Sequence, residues 1–119
     1  MLAAVDHVQL AVPPGCEPLL RGYYGDVLGM TEVPKPASLA GRGGCWFSCG
    51  TVRLHLGVEA GFRPAKKAHP GLRVTGIEAF EARLAAAGAP VVWDGDLPGH
   101  RRFYSEDPVG NRLEFLEPE

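Results

Sequence analysis

The chain has 119 residues, a formal net charge of −2, and 45% hydrophobic against 22% charged residues. This composition is typical of one folded domain and excludes a disordered chain. The near-neutral net charge argues against nucleic-acid binding, which requires a basic surface. No apolar run approaches the ~20 residues that are needed to cross a bilayer. The N-terminus has no basic region of the kind that begins a signal peptide. We therefore predict one soluble, cytoplasmic domain that binds neither nucleic acid nor membrane.

The first half of the chain predicts a strand, a helix and three further strands. Apolar residues alternate loosely over residues 4–12, and the strand ends at Pro13-Pro14-Gly15. A helix begins at Glu17-Pro18 and has Gly29 as its C-cap. Its predicted apolar face comprises Leu19, Leu20, Tyr23, Val27 and Leu28. Three strands are predicted at residues 30–33, 45–49 and 51–58. A Gly-rich loop at residues 37–44 separates the first of them from the other two, which form a hairpin.

The second half predicts the same order of elements. Residues 59–68 lack periodicity and form a connector, which is followed by a strand at residues 72–75. Helical spacing then extends from Ile77 to Ala87, with Gly88 after it. Three more strands follow, at residues 89–93, 101–105 and 111–117. We predict an α+β fold of one domain, residues 1–119, with a first βαβββ module at residues 1–58 and a second at residues 69–119.

Two sequence matches support an internal repeat. The segment beginning at His7 aligns with the segment beginning at His69, at an offset of 62 residues, and Arg53-Leu54-His55 aligns with Arg112-Leu113-Glu114 at an offset of 59. Each half therefore has a histidine beside its first strand and a His or Glu on its last strand. If the halves pack about a pseudo-twofold axis, these side chains converge on one concave surface.

The equivalent positions predict a metal site formed by His7, His55, His69 and Glu114. Imidazole nitrogen with carboxylate oxygen suits divalent Zn, Ni, Co, Fe or Mn. Strand histidines are also common as hydrogen-bonded structural residues, so the alternative is a histidine-lined cavity without metal. The fourth histidine, His100, is predicted to lie in a solvated turn.

The cysteines carry no recognised motif. Cys16, Cys45 and Cys49 form no CxxC pair, which excludes a zinc ribbon and a thioredoxin-like site. We expect free thiols, buried or half-buried, in a reducing compartment. The alternative is an exposed, reactive thiol at Cys16, just before the first helix.

Four stretches resemble the vicinal oxygen chelate superfamily, which includes glyoxalase I, fosfomycin-resistance thiol transferases, extradiol dioxygenases and bleomycin-binding proteins. They are residues 6–8, 23–30, 54–57 and 103–114, the last of which reads FYSEDPVGNRLE. The resemblance implies a curled, cup-like mixed sheet of glyoxalase-like fold that holds a divalent metal. It also implies a homodimer with shared sites, in which one chain supplies His7 and His55 and its partner supplies His69 and Glu114.

The resemblance further implies a chemistry for the site. Glyoxalase I-like enzymes use four ligand positions, whereas the thiol transferases and dioxygenases use three, which correspond here to His7, His69 and Glu114. A histidine at position 55 favours a metal-dependent lyase or isomerase, with Glu114 as the catalytic base and a small-molecule substrate that chelates the metal through two oxygens. Tyr104 and Arg102 share one strand face and are predicted to bind substrate, the alternative being an exposed sheet edge.

Three other functions remain open. A thiol transferase of the fosfomycin-resistance type and an extradiol dioxygenase would use the same ligands, and a bleomycin-type binding protein would need no metal. Such binding proteins look markedly acidic, whereas this chain has a net charge of −2. The sequence determines neither the substrate nor the identity of the metal.

Overall fold

The computed structural model describes residues 1–119 and divides them into two compact units, Met1–Arg63 and Pro64–Glu119. The division falls between Arg63 and Pro64, within the segment predicted as a connector. We refer to these units as the first and second modules. None of the helices has the length and apolar content needed to cross a membrane.

The first module consists of a four-stranded sheet and one helix. The strands lie in the order β1-β4-β3-β2, and β1 is parallel to β4 while the other pairs are antiparallel. Helix α1 continues directly into a π-helical segment. The elements are β1 (Val8–Val12), α1 (Glu17–Leu20), the π-helical segment (Arg21–Val27), β2 (Thr31–Val33), β3 (Cys45–Cys49) and β4 (Val52–Val58).

The second module repeats this topology. Its strands lie in the order β5-β8-β7-β6, again with one parallel pair, β5 with β8. The elements are β5 (Gly71–Arg73), α2 (Ile77–Ala86), β6 (Val92–Asp94), β7 (His100–Glu106) and β8 (Arg112–Pro118). The predicted α+β class and the two βαβββ modules are confirmed.

Each sheet has one face packed on its helix. In the first module, Leu54, Leu56 and Phe47 are 1% exposed, and the Tyr24 ring of the π-helical segment lies 5.7 Å from that of Phe47. In the second, Phe80 of α2 contacts Phe115 at 4.9 Å between ring centroids. Because side chains alternate along a strand, this packing leaves residues of the opposite parity on the second face of each sheet.

Two predicted boundaries near the candidate site differ from the structure, and one alternative is excluded. Strand β1 begins at Val8, so His7 precedes the strand that was expected to contain it. His100 is not in a solvated turn: it is the half-buried first residue of β7, and its Nδ1 lies 3.2 Å from the carbonyl oxygen of Pro98. Strand β7 lies between β8 and β6, which excludes the sheet-edge alternative for Tyr104 and Arg102.

The turn before β8 is built by two buried polar residues. Asp107 Oδ1 accepts hydrogen bonds from the backbone N–H groups of Val109 and Asn111, at 3.0 and 2.9 Å. Asn111 Oδ1 in turn accepts the backbone N–H of Ala65 at 3.0 Å. The DPVGN motif therefore fixes the start of β8, the strand that carries Glu114.

Candidate metal and substrate site

The register of the two sheets confirms that the repeat places His55 and Glu114 at equivalent positions. In the parallel pair of the first module, Gln9 lies opposite His55, and in that of the second module Gly71 lies opposite Glu114. These pairs have the same offsets, 62 and 59 residues, as the sequence alignment. His55 is 9% exposed and Glu114 is 8% exposed, so both polar side chains are buried on the sheet face that the helix does not cover.

His69 and Glu114 form a preassembled pair in the second module. The Nδ1 of His69 lies 2.8 Å from the carbonyl oxygen of Lys67, which can only accept, so Nδ1 carries the proton of the neutral ring. The Nε2 lone pair then faces the Oε1 of Glu114 at 2.9 Å. Two lone-pair atoms approach so closely only when a proton or a metal cation lies between them. The pair therefore fits a divalent ion, and the Lys67 carbonyl orients the ring as the outer partner of a metal ligand does.

The second oxygen of Glu114 is bound by Arg102. Nη1 of Arg102 donates to Glu114 Oε2 at 3.2 Å, and Nη2 donates to Asp94 Oδ1 at 3.2 Å. Hydrogen bonding to Asp96 and Arg102 lowers the pKa of Asp94, the backbone N–H of Asp96 having the larger effect. The Arg102 side chain is 15% exposed, so this carboxylate–guanidinium–carboxylate chain is partly desolvated and holds Glu114 in place.

Tyr104 lies beside this pair. It is directly opposite Glu114 in the β7–β8 register, and its ring contacts that of His69 edge to face at 5.5 Å. Two guanidinium groups flank the Tyr104 ring: Arg112 at 3.8 Å and Arg102 at 5.2 Å from its centroid. The structure thus brings together His69, Glu114, Tyr104 and Arg102 within one module.

In the first module, His7 has the same kind of anchor as His69. Its Nδ1 donates to Asp6 Oδ1 at 2.9 Å, which leaves the Nε2 lone pair of the neutral ring available. This hydrogen bond is the main cause of the lowered pKa of Asp6. The His7 side chain is 42% exposed and therefore accessible to a ligand.

His55 is placed differently from the other two histidines. Its ring is stacked between Trp46, at 3.8 Å and 3° between planes, and His7, at 4.0 Å and 17°. Neither ring nitrogen makes a hydrogen bond. Burial lowers the pKa of His55, so the ring is neutral at pH 7. Because a metal lies in the plane of each imidazole that binds it, nearly parallel stacked rings do not point at a common ion without rotation of one ring.

The predicted quartet is thus present as two pairs, one in each module. Within neither module do three or more His, Cys, Asp or Glu side chains form a group that could hold a metal ion. A pair of ligands supplies half of a typical tetrahedral site, so each pair needs ligands from elsewhere to complete it.

Sequence reasoning missed two residues that support the site, Asp6 and Asp94, and left Trp46 open as a residue that lines the site or packs in the core. Asp6 orients His7, Asp94 holds Arg102, and Trp46 stacks on His55. Asp6 could have been found from the sequence, because it is adjacent to the candidate ligand His7. Trp46 could have been found from the repeat: it lies opposite His55 in the first module, as Tyr104 lies opposite Glu114 in the second. Asp94 had no signal in the sequence, because its proximity to Arg102 arises from the pairing of β6 with β7.

None of the three cysteines forms a disulfide: Cys16 and Cys45 are buried and Cys49 is exposed. Burial raises the pKa of Cys45 to about 11, so its thiol is protonated and unreactive at neutral pH. The alternative of an exposed, reactive thiol at Cys16 is wrong.

Comparison with known proteins identifies relatives with the same topology. Residues 18–116 match the family model for a glyoxalase-like domain. The crystal structure of a protein from Bacillus anthracis assigned to the glyoxalase family shares 48% sequence identity, with a TM-score of 0.97 over 100% of this chain and 98% of its own. No curated protein shows significant similarity in sequence.

Two more distant structures share the fold alone. The fosfomycin resistance protein FosX from Listeria monocytogenes is 12% identical, with a TM-score of 0.79 over 100% of this chain and 96% of its own. Lactoylglutathione lyase from Agrobacterium tumefaciens is 20% identical, with a TM-score of 0.72 over 98% of this chain and 94% of its own. The same architecture therefore occurs in proteins with different activities.

Proposed function

The chain belongs to the glyoxalase-like domains of the vicinal oxygen chelate superfamily, and from this membership we propose that it is a divalent-metal-dependent lyase or isomerase. Its substrate is a small molecule with two adjacent oxygen atoms. The proposal rests on one observation above all: the Nε2 of His69 and a carboxylate oxygen of Glu114 converge at 2.9 Å with the ring tautomer fixed by a backbone carbonyl.

His7, His69 and Glu114 would hold the ion, with His55 at the fourth position. The anchored Nδ1 atoms of His7 and His69 support their assignment as Nε2 ligands. The two pairs come together in a homodimer, in which one chain supplies His7 and His55 and its partner supplies His69 and Glu114. Mixed nitrogen and oxygen ligands suit Zn, Ni, Mn or Fe. When bound, such an ion stabilises negative charge that develops on a substrate oxygen.

Glu114 is the base of the proposed reaction. It accepts a proton from the carbon next to a substrate carbonyl and returns it to a neighbouring carbon or oxygen. Arg102 donates to one Glu114 oxygen at 3.2 Å and keeps the carboxylate oriented while its other oxygen reacts. Tyr104, opposite Glu114, contacts the substrate and limits access of water to the site.

Elemental analysis of the purified protein tests the metal directly. We expect about one transition-metal ion per chain in the wild type, and a large loss in a variant with His69→Ala and Glu114→Gln. His100→Ala, which removes a histidine outside both pairs, is the matched control and should retain the metal. If the wild-type protein takes up no Ni, Zn, Mn or Fe, the proposal is wrong. If the metal is present, lyase activity is assayed on 2-oxoaldehyde–thiol adducts with the metal-loaded protein.

A thiol transferase of the fosfomycin-resistance type is the second candidate. The observation that favours it is the stacking of His55 between Trp46 and His7, which leaves three oriented ligands rather than four. The variant His55→Gln separates the candidates, because a fourth ligand is worth about 10-fold or more in metal affinity and a stacking residue is not. Retained affinity together with thiol addition to fosfomycin would support the transferase, whereas weakened affinity would support the lyase or isomerase.

A further inference from the structure

A cavity of about 250 Å³ adjoins the His69–Glu114 pair in the second module. Tyr104 is common to both: its ring contacts His69, and it lines the cavity together with Val92, Glu106 and Arg112. The lining therefore combines apolar and aromatic side chains with charged ones. Such a mixture is typical of sites for small organic molecules, in which a few polar groups set the orientation of the ligand.

The charges in this cavity are not balanced. Glu106 lies directly opposite Arg112 in the β7–β8 register, a position in which the two would ordinarily form a cross-strand ion pair. The Glu106 carboxylate is instead bound by Lys66, whose Nζ lies 3.1 and 3.2 Å from its two oxygens. Lys66 is itself fixed by a further hydrogen bond to the carbonyl oxygen of Gly110 at 2.6 Å.

Arg112 consequently forms no ion pair with Glu106. Its guanidinium carbon lies 3.8 Å from the centroid of the Tyr104 ring, and its charge helps to lower the pKa of Asp94 without an ion pair between the two. Contact with an aromatic ring satisfies the face of a guanidinium but leaves the N–H groups at its edge available. Arg102, whose guanidinium carbon lies 5.2 Å from the centroid of the same ring, is already bound to both Asp94 and Glu114.

We propose that Arg112 is the substrate-anchoring residue of this protein, and that it binds a carboxylate group of the substrate in the cavity beside Tyr104. One unpaired guanidinium matches a single negative charge, and its planar N–H edge matches the two oxygens of a carboxylate. Val92 and the Tyr104 ring contact the adjoining apolar part of the substrate. This inference rests on the proposed function, since it assigns the class of substrate to the same site.

The guanidinium of Arg112 lies close to the candidate reacting groups. It contacts the ring of Tyr104, which is directly opposite Glu114 in the β7–β8 register. A carboxylate held by Arg112 would therefore place the adjoining atoms of a small substrate next to Glu114. The substrate class is a small carboxylic acid that also carries the two adjacent oxygen atoms of the proposed function.

Binding of benzoate to the full-length chain tests the anchor without requiring turnover. Its uncharged isostere benzamide is the comparison ligand, and both are titrated into ¹⁵N-labelled protein by NMR. We expect benzoate to shift the resonances of residues around Tyr104 and Arg112, and benzamide to bind about 10-fold more weakly. Arg112→Gln should weaken benzoate binding by about 10-fold, and Arg112→Lys should weaken it less because the charge remains.

The matched control is Arg83→Gln, which removes the same charge from an exposed position on α2 and should leave binding unchanged. Equal binding of benzoate and benzamide, or unaltered benzoate binding by Arg112→Gln, would overturn the inference. If Arg112→Gln fails to fold, the ratio of the benzoate and benzamide affinities, measured in the wild type and in Arg112→Lys, still tests whether the anchor binds a carboxylate. Metal content measured on the same samples keeps the two proposals separate. A wild-type protein that holds metal but shows no preference for benzoate over benzamide refutes only the anchor, and a wild-type protein that prefers benzoate but holds no metal refutes only the proposed function.

Discussion

At the residue scale, a single carboxylate joins α1 to the loop that precedes β3. Glu17 accepts a hydrogen bond from the backbone N–H of Gly44 at 2.8 Å. Gly44 has a φ of +81°, and a Cβ atom at this position would overlap the carbonyl oxygen of Leu56. Only glycine therefore allows this backbone to pass so close to β4 and still present its N–H to Glu17.

The Glu17 contact should make stability depend on pH. The backbone hydrogen bond from Gly44 holds the pKa of Glu17 below its usual value. A carboxyl group whose pKa is lowered on folding adds stability above its unfolded pKa and loses it as pH falls through the folded pKa. We expect the urea midpoint of the wild type to fall more than that of Glu17→Gln between about pH 5 and pH 3. Glu59→Gln, on the exposed surface, is the control and should follow the wild type.

At the element scale, the first helix changes its geometry within two turns. After Leu20 the chain becomes π-helical, and the N–H of Leu28 bonds to the carbonyl oxygen of Tyr23 five residues earlier, at 2.9 Å. A wider turn rotates the side chains differently from an α-helix. Tyr23 and Tyr24 of this segment are buried, as is Leu20 of α1, whereas Leu19, predicted for the apolar face, is 55% exposed.

Two adjacent leucines of α1 provide a matched test of this packing. Leu20 is 0% exposed, so Leu20→Ala should leave a cavity and lower the free energy of unfolding by about 2–5 kcal/mol. Leu19→Ala makes the same chemical change at a solvent-exposed site and should alter it by less than about 0.5 kcal/mol. Chemical denaturation of both variants measures the difference. Similar losses in the two would show that the helix packs on the sheet through another face.

At the scale of the whole molecule, the two pairs of candidate ligands lie in different modules of the chain. His7 and His55 belong to the first module, and His69 and Glu114 belong to the second. Neither module alone has three metal-binding side chains in one group. The proposed dimer combines the first module of one chain with the second of its partner, so each site would depend on both subunits.

Mixing two inactive variants tests whether the sites are shared. His7→Ala and Glu114→Gln each damage every site of their own homodimer. In a mixed dimer with shared sites, one site carries both substitutions and the other carries neither. Refolding the variants together at equal concentrations should therefore restore about a quarter of the wild-type metal content and activity. No restoration would mean that all ligands of a site come from the same chain.

The sequence was sufficient to predict the features that depend on periodicity and repeats. Alternation and turn residues identified the strands, and the duplicated Arg-Leu pairs predicted the equivalence of His55 and Glu114 that the register confirms. The stacking of His55 on Trp46 and the pairing of Asp94 with Arg102 could not be predicted. These depend on side-chain rotamers and on contacts between strands, which one chain's local pattern does not determine.

The repeat also bears on how such a protein can diversify. From Gln9 to His55 the first module has three more residues than the second has from Gly71 to Glu114, yet the register at both sites is the same. The connecting segments thus differ in length without any change in the register of these positions. The chemistry of the two modules also differs there, since the first has two stacked imidazoles and the second has an imidazole with a carboxylate. We therefore expect that loop lengths can be altered in designed variants without displacing these side chains.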